Sequence, residues 1–258
     1  MPANHLEITA IPAFQDNYIW LLSAGGTTCA IVDPGQAGPV LEVLDETGLD
    51  LRYVLLTHHH PDHIGGVAAL LDKYPAKVMG PADQRIPVVH QVCSDGDHVS
   101  LPELDVEFSV ISVPAHTRSH IAFYSEPVLF PGDTLFSIGC GRFFEGTPAD
   151  MQRSLDKLAV LPKETRIYSA HEYTASNCAF ALEVEPDNPQ LLARAEQVTR
   201  LRAAGKITLP AILGDELAAN PFLRTREKQV LEAARGIDPG ATPGIPVMAV
   251  IRAWKDRF

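Results

Sequence analysis

The sequence predicts an α/β protein that ends in a helical segment, and three observations support this. Up to about residue 172, short apolar runs alternate with amphipathic stretches, as in a sheet covered by helices. From Tyr173 onward, strand patterns disappear and apolar residues recur at helical spacing. A histidine-rich segment directly follows the strand predicted at residues 53–56, where α/β folds tend to place chemistry.

The first part of the chain supplies nearly all predicted strands. They are expected at residues 6–11, 17–23, 28–32, 53–56, 106–111, 121–124, 127–130 and 166–169. Three helices are expected between them, over the apolar residues 40–44, from Ile64 to about Tyr74, and from Thr147 onward. Thr147 with Pro148 predicts the start of the third helix, since threonine caps helices and proline fits the first turn.

The second part of the chain is predicted to be helical. Its clearest helix has apolar residues at helical spacing that we expect in the core, which are Leu191, Leu192, Ala195, Val198 and Leu201. Pro186 and Pro189 separate this helix from the one before it, and residues 236–246 are a loop rich in proline and glycine. We therefore expect two domains, residues 1–172 and residues 173–258.

Composition limits the function classes. The 258 residues are 46% hydrophobic, enough for a substantial core, and the net charge of −11 argues against a nucleic-acid partner. No segment has the length or pattern of a signal peptide or membrane span. The four cysteines are far apart, so neither disulfides nor a thiolate metal site is indicated. We expect a cytoplasmic monomer that acts on a small molecule.

The segment Thr57–His63 predicts a metal site, because five of its seven residues are good metal ligands. In an extended turn, residues two apart project to one side, so His58 and His60 can share one ion. Asp62 and His63 can then reach a second ion, while His59 points elsewhere. Imidazole and carboxylate ligands without thiolate suit zinc, and also manganese or iron, in a catalytic site with open positions.

The pattern His58-x-His60-x-Asp62-His63 resembles the signature of the metallo-β-lactamase superfamily. Further residues match its remaining motifs in order: Asp33 beside the ligands, His116 as third histidine, Asp133 as bridging aspartate and His171 as last histidine. Segments at 16–20, 139–147, 171–174, 220–224 and 255–258 narrow the resemblance to the glyoxalase II (hydroxyacylglutathione hydrolase) family. The resemblance implies an αββα sandwich with a C-terminal helical domain.

The same resemblance implies hydrolysis of glutathione thioesters, chiefly S-D-lactoylglutathione, the second step of methylglyoxal detoxification. Two divalent ions, most often zinc, would hold the attacking hydroxide between them, with Asp62 as metal ligand and catalytic residue. The glutathione part would contact Arg142, Phe144 and Tyr173, with Arg252 and Lys255 brought from the C-terminal domain. Arg142 and Phe144 stand where animal members have lysine and tyrosine, so Phe144 lacks a hydroxyl group for glutathione.

Three alternatives remain at this point. One is another hydrolase of the same fold, such as a β-lactamase or lactonase, which the glutathione-type C-terminal domain disfavours. Another is a persulfide dioxygenase with a single iron, a class that resembles the first 172 residues but lacks the helical extension. The third is a metal-storage or scaffold protein that has ligands but no turnover.

Overall fold

The computed structural model describes residues 3–258, which divide into two compact units. The first comprises the described residues up to Ser112 together with Ser119–Gly132, and the second comprises Val113–Arg118 and Asp133–Phe258. This division by contacts differs from the single boundary expected after residue 172. In the part of the chain that is described, no helix is both long and apolar enough to cross a membrane.

The first unit is built mainly from strands. Its strands are β1 (Glu7–Ala13), β2 (Asn17–Ser23), β3 (Thr28–Val32), β4 (Asp50–Leu55), β5 (Lys77–Pro81), β6 (Gln91–Cys93), β7 (His98–Leu101), β8 (Val106–Ser112), β9 (Ile121–Ser125) and β10 (Val128–Phe130). Its helices are α1 (Ala37–Thr47), α2 (Pro61–Ile64) and α3 (Val67–Leu71), with 3-10 turns at Ala3–His5 and Pro102–Leu104.

These strands form two sheets. The first has the order β1-β2-β3-β4-β5-β6, with β3 to β6 parallel and β1 and β2 antiparallel at one edge. In the second, β7, β8, β9 and β10 pair antiparallel in sequence order. Side chains on both faces of β2 and β3 are buried, as expected for a sheet covered on both sides. Helices α1 and α3 cover one face, where Val40, Leu44 and Leu70 join the core.

The second unit is built mainly from helices. Its elements are β11 (Leu135–Phe136), β12 (Gly139–Cys140), α4 (Pro148–Ala159), β13 (Arg166–Ile167), α5 (Thr174–Val184), α6 (Pro189–Ala203), β14 (Ala211–Ile212), α7 (Leu213–Ala219), α8 (Lys228–Ile237) and α9 (Ile245–Lys255). Strands β11 and β12 form a hairpin, and β13 pairs antiparallel with β14. The predicted start of α4 is confirmed by a reciprocal capping box between Thr147 and Asp150, a feature that contributes about 1 kcal/mol.

The structure corrects several expectations about secondary structure. The helix expected from Ile64 to about Tyr74 is divided into the two short helices α2 and α3, and between them the backbone N–H of Gly66 donates to the carbonyl of Pro34 at 2.8 Å instead of continuing the helix. A Cβ at Gly66 would lie 2.6 Å from the backbone nitrogen of Ala37. Strands β5, β6, β7, β11, β12 and β14 were not expected, and β14 interrupts the region predicted to be only helical. Leu192, expected in the core, is 48% exposed.

Candidate active site

Parallel pairing brings two strand ends to the edge of the first sheet where the predicted ligand loop begins. Asp33 follows β3 and Thr57 follows β4, and the two strands pair in parallel. The backbone N–H of Asp33 donates to the carbonyl of Leu55 at 2.9 Å, which continues the ladder beyond the strand. Carboxyl ends of parallel strands lie at one edge of a sheet, so Asp33 meets the histidine segment there.

Asp33 orients this segment through both carboxylate oxygens. Oδ1 accepts a hydrogen bond from the backbone of Thr57 at 2.8 Å, and Oδ2 accepts from Oγ1 of Thr57 at 2.7 Å. Oδ2 also lies 3.0 Å from Nδ1 of His63. Because an ionised carboxylate only accepts, we assign the hydrogen of His63 to Nδ1, which leaves the lone pair of Nε2 for a metal.

His58 and His60 present nitrogen atoms to each other. Oγ1 of Thr57 gives its hydrogen to Asp33, so Nδ1 of His58, 3.1 Å from Oγ1, is assigned as donor to that oxygen. Nε2 of His58 then lies 3.1 Å from Nδ1 of His60. Two ligands of one tetrahedral ion with bonds of about 2.0–2.1 Å are about 3.3–3.4 Å apart. The pair therefore has nearly the separation that a shared ion requires.

Asp62 and His63 lie in α2, not in the extended turn that was expected. Oδ2 of Asp62 accepts a hydrogen bond from the side-chain amide of Asn17 at 3.0 Å and lies 3.5 Å from Nε2 of His63. Asn17 starts β2 and is 7% exposed. The only sequence signal for a role of Asn17 in the site was the resemblance of residues 16–20 to the family.

In the second unit, Asp133 faces two histidines with different oxygens. Oδ2 lies 3.4 Å from Nε2 of His116, and Oδ1 lies 3.4 Å from Nε2 of His171. Nδ1 of His116 lies 3.0 Å from the carbonyl oxygen of Arg142, to which it donates, so its Nε2 is available to coordinate. Each carboxylate oxygen of Asp133 therefore faces a different imidazole nitrogen.

The donor set in each unit suits divalent metal ions. Neutral imidazoles whose other nitrogen is hydrogen-bonded, combined with carboxylates, are ligands for zinc, iron or manganese. Donor atoms of Asp33, His58 and His63 also lie within 4.8 Å of one another, so Asp33 is a possible additional ligand. The hydrogen bonds from Thr57 to both its oxygens favour an orienting role instead.

Aromatic side chains border the ligands of the second unit. The ring of Tyr173 stacks on His171 at 4.6 Å with an angle of 8° between planes. The ring of Phe136 contacts Tyr173 edge-on. Phe144 is 62% exposed and contacts His116 edge-on at 5.1 Å between centroids. Phe144 and Tyr173 therefore offer apolar surface beside the two histidines.

Arg252, which the resemblance places beside glutathione, is a buried side chain of the second unit. It is only 4% exposed, and it donates to the carbonyl of Cys140 at 2.9 Å and to Asp256 at 3.1 Å. Its guanidinium carbon lies 5.3 Å from the centroid of the Phe222 ring, a cation-π contact. Two of its five N–H donors are therefore used within the unit.

Lys255 and Arg142 are the more accessible cations of this region. Burial, followed by the charge of Arg252, lowers the pKa of Lys255 from 10.5 to about 8. Nε of Arg142 lies 3.4 Å from Oδ1 of Asp256, and its side chain is exposed. Because cations so close together repel one another, an anion that binds among them would be stabilised.

Two further residues, for which no sequence pattern indicates a role, lie beside the predicted ligands. His120 is fully buried, and its ring stacks on His58 at 4.5 Å. Glu172, next to His171, accepts hydrogen bonds from the backbone and the hydroxyl of Thr208 at 2.8 and 2.5 Å. These contacts fix neighbours of the ligands, and they depend on residues too distant in sequence to be predicted.

Comparisons with known proteins identify the family of this chain. Residues 13–171 match the family model described as the metallo-β-lactamase superfamily, and residues 172–258 match the one described as hydroxyacylglutathione hydrolase C-terminus. A hydroxyacylglutathione hydrolase of Photobacterium profundum is 50% identical over 256 residues, 98% of this chain and 100% of that protein.

Solved structures show the same fold. The crystal structure of ETHE1 from Myxococcus xanthus matches with a TM-score of 0.65 and 21% identity, over 97% of each chain. TTHA1623, solved in a di-iron-bound form, matches with a TM-score of 0.54 and 28% identity, over 64% of this chain and 91% of that one. The predicted αββα sandwich with a C-terminal helical domain is confirmed. The chain belongs to the hydroxyacylglutathione hydrolase family of the metallo-β-lactamase superfamily.

Proposed function

We propose that this protein hydrolyses the thioester bond of S-D-lactoylglutathione and other 2-hydroxyacylglutathiones, which yields a 2-hydroxy acid and glutathione. The observation that carries the proposal is the presence, in one chain, of the metal-ligand pattern and the hydroxyacylglutathione hydrolase C-terminus. Two relatives that match over nearly the whole chain are each named hydroxyacylglutathione hydrolase.

We propose two metal ions per chain, because the ligands are too many for one tetrahedral or five-coordinate ion. The first ion would be bound by His58, His60 and His116, and the second by Asp62, His63 and His171. Asp133 would bind both, which its two oxygens at 3.4 Å from different histidines support. Zinc is the metal we favour, with iron or manganese as alternatives. When bound, such ions supply a hydroxide nucleophile near neutral pH and polarise the thioester carbonyl.

The protein side chains would orient the reactants. The amide of Asn17 fixes the carboxylate of Asp62, which we propose accepts a hydrogen bond from the attacking water. The leaving group is a thiolate whose conjugate acid has a pKa of roughly 8.5, by analogy with cysteine, so no dedicated general acid is required. Cys140 is unsuited to nucleophilic attack because burial raises its pKa to about 11.

Glutathione recognition is assigned to the second unit. Its two carboxylates would be met by Arg142 and Lys255, while Tyr173 and Phe144 would contact the peptide beside the reacting group. Arg252 would contribute its charge and hold the backbone of Cys140, to which it donates at 2.9 Å. We further propose that residues 1–172 carry out the chemistry, that residues 173–258 bind substrate, and that the protein acts as a cytoplasmic monomer.

One experiment tests this function against the alternatives. Metal content would be measured for purified protein, and hydrolysis of S-D-lactoylglutathione would be followed beside a β-lactam, a lactone and a persulfide with oxygen consumption recorded. We expect about two ions per chain and activity chiefly on the thioester. Activity chiefly on another substrate, or bound metal without any turnover, would contradict the proposal.

A further inference from the structure

A short hairpin joins the bridging aspartate to the group that orients His116. Strand β11 begins two residues after Asp133, and β12 ends two residues before Arg142, whose carbonyl oxygen receives the Nδ1 hydrogen of His116. The packing at the base is tight: a Cβ at Gly141 would lie 1.9 Å from the carbonyl oxygen of Asp133. A displacement of the hairpin would therefore move both Asp133 and the partner of His116.

The turn of this hairpin contains a strained residue. Ile138 has φ of +57°, a left-handed conformation that is rare for a β-branched side chain. Its side chain is 1% exposed and belongs to a hydrophobic cluster of the second unit that includes Cys178 and Leu191. Such a conformation persists only where surrounding contacts enforce it.

Glu216 supplies those contacts. This residue of α7 is 1% exposed, and one oxygen accepts from the backbone N–H of Ile138 at 2.7 Å. The other oxygen accepts from the hydroxyl of Ser137 at 2.9 Å. The side-chain amide of Asn220 donates to Glu216 and also to the carbonyl of Gly139, both at 3.0 Å.

A charged carboxylate at the buried position of Glu216 costs desolvation free energy. Burial raises the pKa of its carboxyl group, while the hydrogen bonds from Ile138, Ser137 and Asn220 oppose that rise. An uncharged polar or apolar side chain would avoid the cost of desolvation. The carboxylate instead has two oxygens that match the two donors of the turn.

We propose that Glu216 is a positioning residue for the metal site: it fixes the Ser137–Ile138 turn and thereby holds Asp133 and the carbonyl that orients His116. The inference rests on the proposed function only in taking Asp133 and His116 as metal ligands. Glu216 itself lies in the helical part of the chain, so that part would organise metal ligands in addition to binding substrate.

The test measures metal affinity by competition with a chromophoric chelator, with no substrate present. Glu216→Ala removes both acceptors and should weaken metal binding by about 10- to 100-fold, the usual effect of losing a group that orients a ligand. Glu216→Gln should retain most affinity, since its amide oxygen can accept from Ile138 and its amide nitrogen can donate to Ser137.

Glu185→Gln is the matched control. Glu185 is similarly buried, and its carboxylate accepts two hydrogen bonds from Arg224 of the same unit rather than from the hairpin. The control should lower the melting temperature and leave metal affinity unchanged. Activity of Glu216→Ala should recover as free metal is raised, whereas a general loss of stability would not be reversed in this way.

Unchanged metal affinity in folded Glu216→Ala would overturn the inference. If that variant does not fold, Glu216→Asp decides the matter, because its shorter side chain keeps the charge but withdraws it from Ile138. Parental affinity in Glu216→Asp would likewise overturn the inference. A parent protein that binds two ions but does not hydrolyse the thioester would refute the proposed function and leave the inference about metal binding standing.

Discussion

Replacement of Asp33 by asparagine should exchange donor and acceptor in the hydrogen bonds made by Nδ1 of two histidines, His58 and His63. Asparagine has the same shape and tolerates the left-handed backbone found at this residue, where φ is +51°. Its amide oxygen must occupy the Oδ1 position, because the backbone N–H of Thr57 at 2.8 Å can only donate. The amide nitrogen then occupies the Oδ2 position and donates where the carboxylate accepted.

The consequences follow from the distances. Nδ1 of His63, 3.0 Å from that position, must accept, so its hydrogen moves to Nε2. Oγ1 of Thr57, at 2.7 Å, also accepts and turns its hydrogen toward Nδ1 of His58 at 3.1 Å. Both imidazoles then carry hydrogen on the nitrogen proposed to bind metal. At about 10- to 100-fold for each orienting contact, or ~1.4–2.7 kcal/mol, each ion should bind about 10- to 100-fold more weakly, and the overall constant for binding both ions should fall by roughly 10²- to 10⁴-fold.

Chelator competition and elemental analysis of purified protein measure this loss. Asp105→Asn is the matched control, because Asp105 is exposed and also has a left-handed backbone, with φ of +50°. Thermal unfolding of the metal-free proteins should differ little, since asparagine can make contacts of the same number and length. Parental metal affinity in Asp33→Asn would refute the assignment of hydrogens at His58 and His63.

Three further predictions concern the second unit. Asp133→Ala should lower metal content and activity more than His171→Ala, because the two oxygens of Asp133 face different histidines at 3.4 Å; equal residual values would contradict a bridging role. Lys255 is charged below its pKa of about 8 and loses its charge above it, so kcat/KM for a glutathione thioester should fall as pH rises through 8. If Lys255 binds a carboxylate of glutathione, Lys255→Arg should abolish this fall, because arginine stays charged. Lys255→Ala should raise KM with little change in kcat. Arg252→Ala should also lower kcat and the melting temperature, because the carbonyl of Cys140 loses this donor at a cost of about 1–3 kcal/mol. A change in KM alone would mean that Arg252 acts only in binding.

The ligand loop could be predicted because the residues that identify it are adjacent in the sequence. Residues 57–63 combine a strand end with closely spaced imidazole and carboxylate groups, and no partner elsewhere is needed to recognise them. Strand β2 and strand β3 have the predicted bounds, since their apolar runs end at clear turn residues. The capping box of α4 is local for the same reason.

Features that depend on distant partners could not be predicted. Arg252 has the helical spacing of a solvated face, but Cys140 and Phe222 cover it, and no local pattern indicates them. Strand β14 is two residues long and exists because Ala211 and Ile212 pair with β13. At the break between α2 and α3, the backbone N–H of Gly66 donates to the distant carbonyl of Pro34, which a helical pattern does not indicate.

The way the chain alternates between the two units affects how it can be made and divided. The segment Val113–Arg118, which carries His116, belongs to the second unit, yet Ser119–Gly132 returns to the first. During synthesis, the first unit is therefore incomplete until Gly132 has left the ribosome, and Val113–Arg118 has to wait for partners that follow. No single break in the backbone yields two fragments that each contain one whole unit. A version of this protein expressed in two pieces would have to be reassembled from fragments of which at least one carries parts of both units.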